Sequence, residues 1–336
     1  MGRFRLFMIN QKNNTYWPGV AARLDPWRNP KSQFRVTFFK LAGVYPLGCI
    51  RTAHSAIWID QEIAFMVARC TPWAENLPYS DVVLLNPEEI RLLGSIMMTE
   101  RFDGGQRSSF WVVPKIHLYI GDGFDAKKFS SIVWLKKQII LRIQQGLLDY
   151  DKSWAFGWTA GIGGGFPRDW LDFSDQASYW KRISIYDSVL MRGIYSLIKS
   201  DMLALIPEFR EEATFSTFVA LDASFEMVLR HLRKKGVSSP TSRDAGEWLY
   251  QTFDKSLGLT YEVSRYFEVF YERRVQSLHP ASRYGDIPYA PLEWDDYSHL
   301  RSVLPGLFGY LVRRRHADSM LETFRAAELR ASPIFE

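Results

Sequence analysis

Arg274 and His279 are the residues whose types and spacing are best suited to chemistry. Helical periodicity runs from about Thr260 to Leu278. On that helix Val263, Phe267, Phe270 and Leu278 fall on one apolar face, and Arg274 projects from the middle of it. Arg273 flanks the face and Glu272 points the opposite way. A guanidinium set in an apolar stripe is costly unless an anion or a hydrogen-bonding partner meets it. One reading is a core ion pair with Asp222 or Glu226 on a neighbouring helix; the other is an anion-binding site. His279 ends the helix, because Pro280 pushes the residue before it out of the helical region. The plain reading of His279 is a C-capping side chain, since a helix C-terminus favours the imidazolium form. Taken together, a fixed cation and a titratable imidazole about one and a half turns apart can bind a phosphodiester and move a proton.

Other candidates are weaker. His54, His117, His231, His299 and His316 show no zinc spacing and no HExxH, and each reads as a surface or satisfied core histidine. Gly161-Ile162-Gly163-Gly164-Gly165-Phe166 fails as a dinucleotide fingerprint, because Phe166 stands where a third glycine is needed. Asp295-Asp296 reads as an acidic helix start; Arg313-Arg314-Arg315-His316 has two readings, the complement to a negative helix end or a contact to RNA, and the first is favoured. There is no P-loop, and nothing calls for a cofactor or a metal.

The elements that must position these residues fall into two kinds. Over the first 150 residues, Phe34–Leu41, Ala56–Ile59, Ile63–Ala68, Val82–Leu85 and Phe110–Ile120 are short, β-branched and aromatic, and read as strands. Asn86-Pro87-Glu88-Glu89 predicts a helix to about Met98, and a second helix spans about Lys127 to Leu148. Residues 151–180 interleave tryptophan with glycine and read as a connecting loop whose indoles pack on a domain. From 181 onward the pattern is helical. One stripe runs from Ile183 to Ile198 and stops before Pro207; another runs from Phe218 to Leu232 and ends at Gly236. A capping box at Thr241 and Asp244 opens a third helix. A long helix starts near Asp295-Asp296, and a short one spans about Ala317 to Arg330. The expected organisation is an α+β region over 1–150, a connector over 151–180, a helical bundle over 181–316 and a helical tail over 317–336.

Tyr271-Glu272-Arg273-Arg274-Val275-Gln276-Ser277-Leu278-His279-Pro280, followed by Ser282-Arg283-Tyr284-Gly285 and Pro288-Tyr289-Ala290-Pro291-Leu292, resembles the motif helix and downstream loop of the HEPN superfamily. Asp295-Asp296-Tyr297 then opens a helix, and the helix Phe218–Leu232 resembles that family's other core helix. The likeness covers roughly residues 181–315. It implies an all-α HEPN-like bundle that pairs with a second copy, with arginine and histidine from both protomers lining one cleft. It further implies a metal-independent endoribonuclease, of the kind found in toxin–antitoxin and antiphage systems, with RNA as substrate and a cognate inhibitor protein as a partner. Arg274 would then hold the scissile phosphate and His279 would transfer the proton, with Arg273, Tyr271 and Glu272 supporting them. Val275 departs from the pattern, because active members often carry a small polar residue after the arginine. Other HEPN domains are non-catalytic binding modules, which is the alternative reading.

Composition sets bounds on these readings. The chain has 336 residues, 47% hydrophobic and 24% charged, which excludes a disordered or fibrous protein. Two cysteines, Cys49 and Cys70, make no disulfide framework. The net charge of +5 comes from residues 1–180, with 21 Lys+Arg against 16 Asp+Glu, while residues 181–336 carry 21 of each. No apolar run reaches the roughly 18 residues of a spanning helix, and the opening residues lack a signal-peptide core. The expected location is the cytoplasm, away from membranes.

Overall fold

The computed structural model describes residues 24–25, 32–43, 47–60, 62–71, 85–100, 108–150, 173–204, 206–259, 269–270, 272–274 and 294–331. Among these, all strands precede residue 121 and the chain beyond is helical. Six strands form one antiparallel sheet: β1 (Leu24–Asp25), β2 (Phe34–Gly43), β3 (Gly48–Arg51), β4 (Ser55–Ile59), β5 (Ala64–Arg69) and β6 (Ser108–Ile120). Their order is β1-β6-β2-β5-β4-β3, and every pairing is antiparallel. The four-residue β3 was not expected from the sequence, nor was β1. The strand expected at Val82–Leu85 lies outside the described residues except for Leu85, which sits at a bend.

Strand alternation divides the sheet into two buried faces. Phe34, Val36, Phe38, Ala56, Phe65 and Val67 point to one side, where they pack on Ile132, Leu135 and Ile139 of helix α2 (Phe129–Gln144). Phe39, Ile57, Ile59, Ala64 and Met66 point to the other, where they join helix α1 (Pro87–Met97) and the helical region in one continuous core.

Helix α1 begins as its residues dictate. Asn86 accepts from the Glu89 amide at 3.0 Å, Glu89 accepts from the Asn86 amide at 2.8 Å, and Pro87 occupies the first turn. Glu89 is fully buried and does more than cap. Its carboxylate accepts from Arg35 Nε at 2.9 Å and from Thr37 Oγ1 at 2.6 Å, so the polar residues of β2 face α1. The Arg35 guanidinium holds Glu89 below the usual carboxylate range even against its burial.

Residues Phe173–Arg182 form helix α3, which corrects the expectation of a connecting loop over the end of 151–180. The neighbouring glycine run masks the helical pairing of Tyr179 with Ile183 across one turn. The packing role of the tryptophans is seen at Trp180, which is buried: the Arg91 guanidinium lies 4.0 Å from its ring centre and Arg91 Nε donates to its carbonyl at 2.8 Å. The bundle continues with α4 (Ser188–Ala204), α5 (Arg210–Lys234), α6 (Ser242–Leu249), α7 (Trp294–Arg313) and α8 (Asp318–Ala331). A π-helical turn, Tyr250–Asp254, extends α6 beyond its capping box at Thr241 and Asp244. Helix α4 is central. A Cβ on Gly193 would lie 2.6 Å from Phe308 of α7 and 3.0 Å from Ala223 of α5, so glycine sets that close approach.

Candidate functional site

Residues 269–270 and 272–274 are helical and bring two guanidinium groups onto one turn. Arg274 reaches α5, where its Nη2 lies 2.7 Å from Asp222 Oδ2, with about a quarter of its side chain exposed. Of the two acids expected as ion-pair partners, Asp222 is the one found. Glu226 instead meets Arg230 at 3.0 Å and Arg233 at 3.4 Å. Burial raises the Asp222 carboxyl above its ordinary pKa, and Arg274 opposes that without cancelling it.

Arg273 faces α7. It pairs with the buried carboxylate of Asp296. Its guanidinium also lies 5.7 Å from the ring centre of Phe270, which is buried. Phe270 stacks against His299 at 5.3 Å and 22°. Burial lowers the His299 pKa, Asp254 and Asp296 oppose the lowering, and Arg273 adds to it. Glu272 is exposed, as its position on the wheel requires. Tyr271, Val275 and His279 lie outside the described residues.

The helix carrying Asp296 is itself fixed by a buried ionic cluster that sequence reasoning missed. Arg301, fully buried, donates Nε to Asp201 Oδ1 at 2.7 Å and Nη2 to Asp201 Oδ2 at 2.9 Å. It also donates Nη1 to Glu100 Oε2 at 2.8 Å, and Tyr297 donates to Asp201 at 3.1 Å. This one side chain ties the end of α1, α4 and α7 together. Its signal is legible afterwards: Arg301 adjoins Leu300 and precedes Leu304, and Asp201 follows Leu197 and Ile198, so both charges sit in apolar stripes.

Each guanidinium is steadied by a carboxylate from a different helix, Arg274 by Asp222 of α5 and Arg273 by Asp296 of α7. Among the described residues no group of three or more His, Cys, Asp or Glu is placed to hold a metal ion. Cys49 and Cys70 are unbridged, and burial pushes the Cys49 thiol up to about 11. No described helix is long and apolar enough to cross a membrane. Comparison with protein-family models, curated proteins and solved structures finds no match to this chain.

Proposed function

We propose that this chain is a metal-independent endoribonuclease whose site is built around Arg274 and His279, working as a homodimer that pairs near residues 263–292. The observation that carries the reading is the Arg274–Asp222 pair at 2.7 Å. Asp222 orients the guanidinium of a side chain that is about a quarter exposed, and a pre-oriented cation is what a developing phosphorane charge needs. His279 supplies the proton transfer. The 2′-hydroxyl loses its proton as its oxygen bonds to phosphorus, the bond from phosphorus to O5′ breaks, and O5′ takes up a proton. The products are a 2′,3′-cyclic phosphate and a 5′-hydroxyl. The toxin or antiphage role and the cognate inhibitor belong to the same proposal and rest on the HEPN resemblance.

The same contact favours a second reading. Two salt bridges, Arg274 to Asp222 and Arg273 to Asp296, also lock the motif turn between α5 and α7. In that reading the helical region is a non-catalytic dimerisation or binding module, which the 21-to-21 charge balance of residues 181–336 suits. Purified protein incubated with total RNA in chelator, beside an Arg274→Ala, His279→Ala variant, separates the two. The ribonuclease reading expects cleavage by the wild type alone; the module reading expects none from either protein.

A further inference from the structure

Helices α5 and α7 end side by side, although their ends are about eighty residues apart in sequence. Arg314, just past α7, donates Nη1 to Nδ1 of His231 in the last turn of α5. This contact brings Arg233, Lys234 and Lys235 from one helix beside Arg314 and Arg315 from the other, all five exposed. Carboxylates account for two of them. Glu226 lies 3.4 Å from Arg233, and Asp175, which already pairs with the buried Arg313, lies 3.7 Å from Arg315. Among the described residues Lys234, Lys235 and Arg314 have no carboxylate within salt-bridge distance.

Complementing the helix ends does not use up this charge. Two helix C-termini together present about one negative elementary charge. Three cations outside any ion pair therefore leave an excess of roughly two positive charges at one spot. His231 registers it: burial pushes the imidazole down to about 4, and Arg314, Lys235 and Lys234 all add to the lowering. Its Nε2 is buried with no hydrogen-bond partner, and Arg314 takes a left-handed φ of 61°. For an arginine that conformation is uncommon and holds the guanidinium across the gap between the helices.

We propose that the paired C-terminal ends of α5 and α7 form a docking surface for the phosphate backbone of single-stranded RNA. The choice of RNA among polyanions rests on the ribonuclease reading above. The surface lies on the same two helices that anchor the arginine turn. Asp222, which holds Arg274, is twelve residues before Lys234 on α5, or about 18 Å along the helix axis. Lys234 and Lys235 stand about 120° and about 140° around α5 from Asp222, so the surface shares the helix with the Arg274 anchor and occupies a different face of it.

The test is equilibrium binding of the full chain to a fluorescent, fully 2′-O-methylated RNA of about 16 nucleotides, measured in chelator from about 50 to 200 mM salt. That probe cannot undergo 2′-hydroxyl attack, so the result is independent of catalysis. The Lys234→Gln, Lys235→Gln variant should bind more weakly. Its slope of log affinity against log salt should be shallower by about 1.4, since each single-strand phosphate contact contributes about 0.7. Adding Arg314→Asn, a residue that tolerates the left-handed region, should remove a further 0.7 or so; the thermal midpoint is measured beside it, because Arg314 also holds His231 Nδ1. Wild-type slope and affinity in these variants would overturn the proposal. So would failure of the wild type to bind the probe, or binding of polyglutamate in place of RNA. A chain that binds here yet never cleaves unmodified RNA leaves this surface standing and removes the ribonuclease reading.

Discussion

Arg301 shows at the scale of single residues how much of this molecule depends on charges placed in apolar surroundings. It is fully buried with Asp201 and Glu100 as partners, so truncating it strands two carboxylates out of water. Arg301→Ala should cost about 3–5 kcal/mol in urea unfolding, whereas a surface truncation such as Arg243→Ala should stay within about 0.5 kcal/mol. His117 gives a second residue-scale prediction. Thr37 donates to Glu89, so His117 Nδ1 donates to Thr37 Oγ1 at 3.1 Å, and burial above all pushes the imidazole down to about 4. A histidine of ordinary pKa near 6.5 in the unfolded chain takes a proton before the folded one does. Stability carried by the neutral ring is therefore complete above about pH 6.5 and is lost as pH falls toward 4. His231, also pushed down to about 4, acts in the same direction. The urea midpoint should fall across that window, and His117→Asn should flatten the fall. Loss of stability on raising the pH through that window would contradict the assignment. From the sequence, Arg274 is visible as a charge in an apolar stripe and Asp222 as one of two possible partners. Asp222 and Glu226 lie one turn apart on the same face of α5, so choosing between them needs the axial position of the motif turn along α5, which no periodicity in the motif helix contains.

Elements with local punctuation are the ones the sequence announces. Asn86-Pro87 and the Thr241–Asp244 box start helices where expected, because capping is settled within four residues. Strands β2, β5 and β6 are long or apolar enough to read directly. Strand β3 is not: four residues containing Gly48 and Cys49 become a strand only because β4 offers them a ladder. Helix α3 is hidden for a similar reason, since its helical character rests on packing of Tyr179 and Trp180 rather than on propensity. Packing between elements is invisible in the sequence at Gly193, an unremarkable glycine in a helical stripe. Its missing Cβ lets α4 approach Phe308 and Ala223. Gly193→Ala should cost about 1–3 kcal/mol through overpacking, although alanine is the better helix former by about 1 kcal/mol at an exposed site. A thermal midpoint equal to or above the wild type's would show that Phe308 gives way freely and that the close approach is not required.

For the whole molecule, the sheet and the helical region share one core: Phe39, Ile57 and Met66 from the strands lie in the same cluster as Ile194, Leu221 and Phe308 from the bundle. Arg301 and Glu100 reinforce that junction from the polar side. Denaturant unfolding followed by near- and far-ultraviolet circular dichroism should therefore give coincident curves; separated transitions would mean the shared core does not couple the halves. The two-part plan, strands then helices, is legible in the sequence because its periodicity switches from 2 to 3.6. The common core is not, because it depends on which face of each strand turns toward α1.

The central claim is that Arg274 and His279 form a ribonuclease site that needs no metal, and the most direct measurement is the rate of RNA cleavage in excess chelator by wild-type and His279→Ala protein of matched thermal stability. The account predicts wild-type cleavage leaving 2′,3′-cyclic phosphate and 5′-hydroxyl ends, and a loss of about 10²–10⁴-fold in the variant as general acid–base transfer disappears. Cleavage that requires Mg²⁺, or that proceeds at the same rate without His279, would contradict it.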